Sequence, residues 1–230
     1  MSTIFKNGKN LSSNTEAALK YTAKVGVMSK EVWSNSFCTG VKSWQNKQLK
    51  ILLKNDLLKL HNCDLGSFYV LGNYGKKIAG TLGWSLIDPV NPNQMKHDEI
   101  VGHGLLKLEK QNICKNWMVE KELKNIRDGK FQIKDQGNKV KYPDAVFDAF
   151  MGGGFHKVAL EYERNGKTVP RYRSILWSYH KLNRFSMVLF IVENDVLKRR
   201  IKYSLKHLGK VTARGNQLEK PRIRQDSGLF

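Results

Sequence analysis

Two prolines, Pro89 and Pro92, lie three positions apart in a segment that also contains Asp and Asn and directly follows Gly83. Proline and the residue before it favour turns and extended backbone over the interior of a helix. We therefore predict a linker over residues 84–96 between two domains, residues 12–83 and residues 97–208. The chain has 230 residues, of which 40% are hydrophobic, so it is long enough and apolar enough to form one or two cores.

The first domain is predicted to contain helices followed by a hairpin. Up to about residue 55, apolar residues recur at three- and four-residue spacing, which indicates helices. Asn14 and Thr15 can cap the first helix, and Gly26 can end it. Two strand-like runs then flank a segment rich in turn-forming residues. The predicted elements are helices over Thr15–Val25, Lys30–Phe37 and Lys42–Asn55, strands over Leu57–His61 and Phe68–Leu71, and a helix over Tyr74–Leu82.

The third predicted helix has an apolar face and a polar face. The apolar face is predicted to contain Val41, Trp44, Leu49, Leu52 and Leu53. The polar face carries the candidate DNA-binding residues Lys42, Gln45, Asn46, Lys47 and Lys50. Gln and Asn side chains can pair with adenine in the major groove, and Lys can bind guanine or phosphate.

The order of helix, short helix, polar-faced helix and hairpin resembles a winged helix-turn-helix, which implies DNA binding. Two alternatives stay open. The polar face is solvated in a small helical domain with no DNA-binding role, or the winged helix contacts protein.

The second domain is predicted to be α/β (α+β). Its predicted elements are a helix over His97–Asn112, a strand passing into a short helix over Asn116–Lys124, strands over Ala145–Met151 and Phe155–Glu163, a helix over Pro170–Leu182, a strand over Met187–Val192 and a helix over Asp195–Leu208. Gly102 and Gly104 weaken the first helix, because each costs roughly 1 kcal/mol relative to Ala. The sequence Gly152-Gly153-Gly154 predicts a turn between the two middle strands.

Three acidic residues lie on these middle strands where they can converge. Asp144 follows Pro143 at the start of one strand, and Glu161 and Glu163 occupy alternate positions on the next, so their side chains point the same way. Mg²⁺ prefers such carboxylate oxygens together with water and phosphate. A bound Mg²⁺ or Mn²⁺ could stabilise phosphoryl charge and supply an activated water. The alternative is that these acids form salt bridges at strand ends.

The spacing of Pro143-Asp144 and Glu161-x-Glu163 resembles the PD-(D/E)xK signature of the restriction-endonuclease-like fold. The predicted order αβββαβ over residues 97–192 is similar to the core of that fold. The resemblance implies a metal-dependent nuclease in which Asp144, Glu161 and Glu163 are catalytic, with Asp144 and Glu161 as metal ligands.

The chain departs from that signature at Glu163, where the family usually has Lys. Lys157 and Lys167 lie close enough in sequence to supply the missing cation, and we name Lys167 as the catalytic candidate. On the helix that follows, Arg171 and Arg173 are candidates for holding DNA phosphate.

A narrower resemblance covers residues 15–208. It rests on His97-Asp98, Trp117-Met118-Val119-Glu120, Pro143-Asp144-Ala145-Val146-Phe147, Ala159-Leu160-Glu161-Tyr162-Glu163 and Arg171-Tyr172-Arg173-Ser174-Ile175-Leu176. With the winged-helix start, this series resembles the replication-relaxation family of plasmids and other mobile elements. The resemblance implies a DNA-binding and DNA-nicking protein linked to plasmid replication or transfer. It also implies that Glu120 is a further metal ligand.

Other kinds of active site find little support in the sequence. His97 and His156 lack the spacing of a zinc ligand pair, the glycine run lacks the Lys of a P-loop, and no Ser or Cys lies in a nucleophile elbow. A tyrosine relaxase would use Tyr172 or Tyr179, but the chain lacks the accompanying histidine cluster. Both tyrosines could equally be core contacts.

The net charge is the strongest indication of a partner. Forty Lys and Arg against twenty Asp and Glu give +20, and the excess lies on both sides of residue 90. Such a surface attracts polyanions, with nucleic acid ahead of anionic membrane. Solubility alone would need a net charge of only about 2–8, although that plainer reading stays open. Residues 209–230 are predicted to form a basic tail.

Cysteine usage and hydropathy indicate a cytoplasmic protein. Cys38, Cys63 and Cys114 lack paired spacing and are predicted to be reduced, buried thiols. The first ten residues lack the apolar core of a signal peptide. The most apolar run, Met187–Val192, is too short to cross a bilayer.

The leading hypothesis is a cytoplasmic protein of a bacterial mobile element that binds double-stranded DNA and nicks it with the help of Mg²⁺ or Mn²⁺. The competing hypothesis is a non-catalytic replication initiator or transcriptional regulator whose nuclease fold is degenerate. A homodimer and a complex with relaxosome or replication proteins are further candidate assemblies.

Overall fold

The computed structural model of the protein describes residues 11–87, 91–126, 129–135, 137 and 139–212. It is a mixed α/β chain, as predicted. Backbone contacts divide it into two compact units, Met1–His103 (unit 1) and Gly104–Phe230 (unit 2). This division lies inside a helix, α5 (Met95–Lys110), rather than in the predicted linker at residues 84–96. Within that linker a 3₁₀ turn over Pro92–Gln94 leads directly into α5, and residues 88–90 lie outside the described residues.

Unit 1 begins with a capped helix. The Ser12 hydroxyl accepts a hydrogen bond from the backbone N–H of Thr15, and Gly26 ends the helix with a φ of 92°. The cap therefore lies at Ser12 rather than at the predicted Asn14 or Thr15. The elements of unit 1 are α1 Ser13–Val25, β1 Met28–Ser29, α2 Lys30–Val32, α3 Lys42–Lys54, β2 Leu58–Cys63, β3 Gly66–Leu71, α4 Asn73–Thr81 and the first part of α5 Met95–Lys110.

The sheet of unit 1 has three strands in the order β1-β3-β2, all antiparallel. The predicted hairpin is present, and Cys63 pairs with Gly66 across its turn. β1 was not predicted, because a two-residue strand carries no periodicity. After α2 the chain continues in a π-helical turn over Trp33–Phe37. The sequence predicts a single regular α-helix over Lys30–Phe37. Trp33, the first residue of this turn, is fully buried.

A glycine explains how α5 lies against α1 in unit 1. A Cβ atom placed on Gly102 would lie 2.6 Å from a methyl group of Val25 and 3.0 Å from the hydroxyl oxygen of Tyr21. The residue that weakens helix propensity therefore permits the close approach of two helices.

Unit 2 is built on a four-stranded sheet in the order β4-β7-β8-β9. Its elements are β4 Cys114–Val119, α6 Glu120–Asn125, β5 Ile133–Lys134, β6 Val140–Lys141, β7 Ala145–Met151, β8 Gly154–Glu163, α7 Val169–Lys181, β9 Met187–Val192 and α8 Asp195–Thr212. The first three strands of the sheet are antiparallel, and β9 runs parallel to β8. The predicted order of helices and strands is present, while the β5–β6 ribbon was not predicted.

The core of unit 2 lies between the sheet and α7. Ala159 on β8 and Val188 on β9 pack with Tyr172, Ile175 and Tyr179 of α7. From Val158 to Glu163 every residue of β8 is buried, since both faces of this central strand are covered. Any polar side chain on that stretch is therefore removed from water.

Some predictions at the chain level need correction. Cys38 and Cys114 are buried free thiols as predicted, but Cys63 is only half-buried because it lies at the hairpin turn. Helix α8 continues through residues 209–212, which were assigned to the tail, and residues 213–230 lie outside the described residues. Within the described part of the chain, no helix is long and apolar enough to cross a membrane.

Candidate functional site

The three predicted acids lie on or beside the two inner strands of the sheet of unit 2, where β7 begins and β8 ends. Ala145 pairs with Leu160, so Asp144, just before β7, lies next to Glu161 on β8. One Asp144 carboxylate oxygen accepts a hydrogen bond from the backbone N–H of Tyr162 at 2.7 Å. The exposed fractions of Asp144, Glu161 and Glu163 are 9%, 1% and 2%. Asp144 and Glu161 are therefore neighbours across the two strands, and Glu163 follows two residues later on β8.

Both carboxylate oxygens of Glu161 have side-chain partners. The ammonium group of Lys141, on β6, forms an ion pair with one oxygen, and the hydroxyl of Tyr179 donates a hydrogen bond to the other. Burial raises the pKa of Glu161 to about 7, against the attraction of Lys141 and with a further upward contribution from Asp144. Burial alone would lower the pKa of Lys141, but Glu161 and Asp144 outweigh it and raise that pKa.

Glu163 repeats this pattern two residues further along β8. Lys167 forms an ion pair with one of its oxygens, and the Tyr172 hydroxyl donates to the other over 3.4 Å. Burial, followed by the charge of Glu163, raises the pKa of Tyr172 to about 12. Burial and the charge of Glu161 also raise the pKa of Tyr179 well above its ordinary value.

We call these residues the buried acid cluster: Asp144, Glu161, Glu163, Lys141, Lys167, Tyr172 and Tyr179. The two tyrosines are seven residues apart and therefore lie on the same face of α7, where they also belong to the core. Their hydroxyls are hydrogen-bond donors to carboxylates inside the protein. This arrangement uses them as core contacts with a polar end rather than as exposed nucleophiles.

The predicted fourth carboxylate, Glu120, has a different partner. Its backbone N–H donates to the carbonyl of Asp144 at 2.8 Å, so its main chain adjoins the cluster. Its carboxylate, however, pairs with Lys124 one helical turn later at 2.9 Å. The prediction of Glu120 as a metal ligand is therefore not matched by where its side chain points.

The cluster does not fit Mg²⁺ or Mn²⁺ as it stands. A hard cation needs free carboxylate oxygens, and all four oxygens of Glu161 and Glu163 already contact lysine or tyrosine. Among the described residues, no three His, Cys, Asp or Glu side chains lie together in a way that could hold a metal ion. Lys141 and Lys167 thus supply the positive charge that a metal ion was predicted to supply to these glutamates.

Of the two lysines predicted to offset phosphate charge, only Lys167 belongs to the cluster. Lys157 instead forms an ion pair with Asp148, its cross-strand neighbour on β7. The register of the β7–β8 hairpin, which the sequence does not specify, therefore places Lys157 away from the predicted site.

The two arginines predicted to hold phosphate are partly engaged inside unit 2. Arg171 contacts the buried carboxylate of Asp135 through two guanidinium nitrogens, at 2.7 and 2.8 Å. Its hydrogen bond to Asp135 raises the pKa of Arg171 further. The Nε atom of Arg173 is buried and has no hydrogen-bond partner among the described residues.

The other predicted site is the face of α3 that points away from unit 1's core. Leu49 and Leu52 are buried, and Lys42, Lys47 and Lys50 are exposed, as predicted. No ion pair to these three lysines is present within the described part of the chain. We call them, together with the half-buried Asn46, the α3 face.

Three α3 assignments were wrong. Val41 and Trp44, placed on the apolar face, are 70% and 49% exposed at the start of the helix. Gln45, placed on the DNA-binding face, is half-buried. Its side-chain amide donates to the carbonyls of Cys38 and Gly40 at 2.8 and 3.1 Å, so it braces the turn that precedes α3.

Sequence reasoning missed Lys141 and the carboxylate-binding role of the two tyrosines. The seven-residue spacing of Tyr172 and Tyr179 is a usable signal, since it predicts a shared helix face. For Lys141 the only signal is its position three residues before Asp144.

Comparison with known proteins adds no relative to this description. No family model, no curated protein and no solved structure matches the chain.

Proposed function

We propose that the protein binds double-stranded DNA through the α3 face, with unit 1 acting as a winged helix. The observation that carries this proposal is the set of exposed lysines on α3, which have no acidic partner among the described residues, in a chain of net charge +20. The antiparallel hairpin β2–β3 follows α3 directly and corresponds to the wing. Cations on a helix that can enter the major groove would contact phosphates and guanine edges.

The biological setting follows from the resemblance noted in the sequence. We place the protein in the cytoplasm of a bacterium, in the replication or transfer of a plasmid or other mobile element. Unit 2 would then be a restriction-endonuclease-like domain. Support comes from the order α5, β4, β7, β8, α7, β9 and from the position of Asp144 beside Glu161.

Within that setting, the buried acid cluster favours a non-catalytic protein, an initiator or regulator. Two lysines and two tyrosines satisfy the two glutamates, so the acids stabilise one arrangement of β6, β8 and α7 instead of facing a substrate. Truncating one partner of such a pair is costly, since it leaves a buried charge uncompensated.

A second candidate function is metal-dependent nicking of DNA. The observation in its favour is that Asp144 and Glu161, at two positions of the PD-(D/E)xK resemblance, are neighbours across β7 and β8, with Lys141 paired to Glu161 and Lys167 paired to Glu163. Incubation of supercoiled plasmid with Mg²⁺ or Mn²⁺ separates the two candidates. Nicking that disappears in Asp144→Asn and Glu161→Gln would favour the nuclease, and its absence at DNA-saturating protein concentrations would favour the binder.

DNA binding itself is tested by the salt dependence of affinity for a labelled duplex. Each neutralised phosphate contributes about −0.9 to the slope of log K against log salt. Combined Lys47→Ala and Lys50→Ala should therefore make the slope shallower by about 1.8. The control is Lys20→Ala, an exposed lysine on α1. A slope of log K against log salt near zero for wild type would refute the proposal. If Lys47→Ala, Lys50→Ala and the control Lys20→Ala each changed that slope equally, α3 would be excluded as the DNA contact.

A further inference from the structure

The hairpin between β7 and β8 ends in a tight, glycine-dependent turn. Met151 pairs with Gly154, leaving Gly152 and Gly153 as the two central residues, with φ of 56° and 87°. A two-residue hairpin turn with positive φ at both central positions is the type I′ turn, which glycine adopts without strain. The turn therefore fixes the register of the residues on either side of it.

That register places two phenylalanines opposite each other beside the turn. Phe150 pairs with Phe155, and their ring centroids are 5.3 Å apart in an edge-to-face arrangement. The two residues are 52% and 50% exposed, and Ile113, whose carbonyl accepts the backbone N–H of Phe150, is 39% exposed. Two large aromatic rings are thus presented to solvent at the end of a well-defined hairpin.

Positive charge accompanies these rings. The ammonium nitrogen of Lys115, on the neighbouring strand β4, lies 3.2 Å from the ring centroid of Phe155. The nearby carboxylate of Asp148 is held by Lys157 and by the side-chain amide of Asn116 at 3.0 Å. Partial burial would raise the pKa of Asp148, but these two hydrogen bonds outweigh it and lower that pKa. One acid against two lysines leaves the surface locally cationic.

We infer that this surface, Phe150, Phe155 and Lys115, binds unpaired nucleotides of single-stranded DNA; the inference rests on the proposed DNA-binding function and names a second substrate class for it. Aromatic rings beside a cation are the recurring means of holding a single strand, because every base has a face that can stack. In a duplex those faces are already stacked on their neighbours and are out of reach. Lys115 contributes the charge for an adjacent phosphate.

A protein partner fits this surface less well. An apolar protein interface would have to remove the Lys115 ammonium from water, which is unfavourable because its cross-strand acid, Asp148, already forms an ion pair with Lys157. The net charge of +20 instead favours a polyanion. We call the three residues the Phe platform.

The test compares affinities of the full chain for labelled oligo(dT) and for a labelled duplex by fluorescence anisotropy. Phe155→Leu and the double variant Phe150→Leu/Phe155→Leu remove stacking and keep an apolar side chain. Tyr203→Leu is the control, since Tyr203 is an aromatic residue of unit 2 that is 53% exposed on α8. Far-ultraviolet circular dichroism and thermal melting verify that each variant folds.

We expect the double variant to bind oligo(dT) at least about fivefold more weakly than wild type, with duplex affinity unchanged. Lys115→Ala should make the salt slope for oligo(dT) shallower by about 0.7. Wild type that does not bind oligo(dT), or Phe variants that match Tyr203→Leu, would overturn the Phe platform while leaving duplex binding intact. Loss of self-association with unchanged oligo(dT) affinity would also overturn it, by identifying a protein interface. Failure of the DNA-binding proposal would give a different result from failure of the Phe platform. In that case wild type would bind neither oligo(dT) nor the duplex with a salt-dependent affinity.

Discussion

The buried acid cluster of unit 2 and the α3 face of unit 1 both contain lysines, but the lysines differ in what surrounds them. Lys141 and Lys167 are mostly buried, and each faces a glutamate that is itself buried. The α3 lysines are exposed and have no acidic partner among the described residues. Charge is neutralised inside the protein where water is absent, and is left uncompensated on the surface where water and a polyanion can reach it. The same residue type therefore has a structural role in one unit and a proposed binding role in the other.

The largest expected effect of a substitution is at Lys141. Lys141→Ala leaves the Glu161 carboxylate buried without its cation, which should lower the free energy of unfolding by about 3–5 kcal/mol. Guanidinium denaturation measures the total loss at about pH 8, where Glu161 is ionised. Hydrogen exchange of the β8 backbone amides shows whether the loss of stability is centred on the strand that carries Glu161.

The matched substitution is Lys47→Ala on the α3 face, which should change the free energy of unfolding by less than about 0.5 kcal/mol. Equal, small losses for the two variants would remove the distinction between buried and exposed lysines.

A second effect is the pH dependence of stability caused by Glu161. The pKa of Glu161 is about 7 in the folded protein against an ordinary value of 4.5, so the folded state holds a proton that the unfolded chain releases between these values. The resulting stabilisation is complete below pH 4.5 and is lost as the pH rises through 7. In the described part of the chain, the charged and titratable groups that raise or lower the pKa of Glu161 are Lys141, Asp144 and Tyr179.

Glu161→Gln should remove this pH dependence, because an amide does not titrate. The measurement is the free energy of unfolding of wild type and variant across that pH interval, and the difference between the two curves is the quantity predicted. Parallel curves would mean that Glu161 stays ionised in the folded state, held by Lys141.

How far the sequence could predict this molecule depends on whether a feature is local. The alternation of Glu161 and Glu163 follows from the two-residue period of a strand, so their common direction was predictable. The pairing of Asp144 with Glu161 followed from the predicted order of strands. Lys141 could not be predicted as a partner, because it lies on the two-residue strand β6, which has no periodicity of its own.

The α3 helix teaches the same lesson at its two ends. Leu49 and Leu52, in the middle and second half, are buried as the helical period predicts. Trp44 satisfies the apolar pattern but is half-exposed. The helical period predicts on which face of the helix a residue lies, but it does not predict how far along the helix that face is covered by neighbouring elements. Gln45 was misassigned since its partners, the carbonyls of Cys38 and Gly40, belong to a turn whose path no local pattern describes.

A third, smaller effect distinguishes Gln45 from its neighbours on α3. Gln45→Ala removes two hydrogen bonds to backbone carbonyls and should lower the free energy of unfolding by about 1–2 kcal/mol. Lys47→Ala should weaken binding to duplex DNA with no loss of stability. Thermal melting and anisotropy on the same samples measure both quantities. Unchanged stability with weakened DNA binding in Gln45→Ala would assign Gln45 to the DNA-contacting surface after all.

The smallest expected effect is a gain in stability from removing a cation on the α3 face. Lys50 lies three residues after Lys47 and four before Lys54, so like charges are neighbours on one side of the helix. Such pairs destabilise a helix by about 0.2–0.5 kcal/mol each. Lys50→Gln should therefore raise the free energy of unfolding by a few tenths of a kcal/mol at low salt. The gain should disappear in high salt, where repulsion between exposed charges is screened. The same substitution should weaken duplex binding, because the repulsion tolerated in the free protein is relieved only when phosphates lie against the helix. A variant that is more stable and binds DNA as tightly as wild type would show that these lysines serve solubility alone.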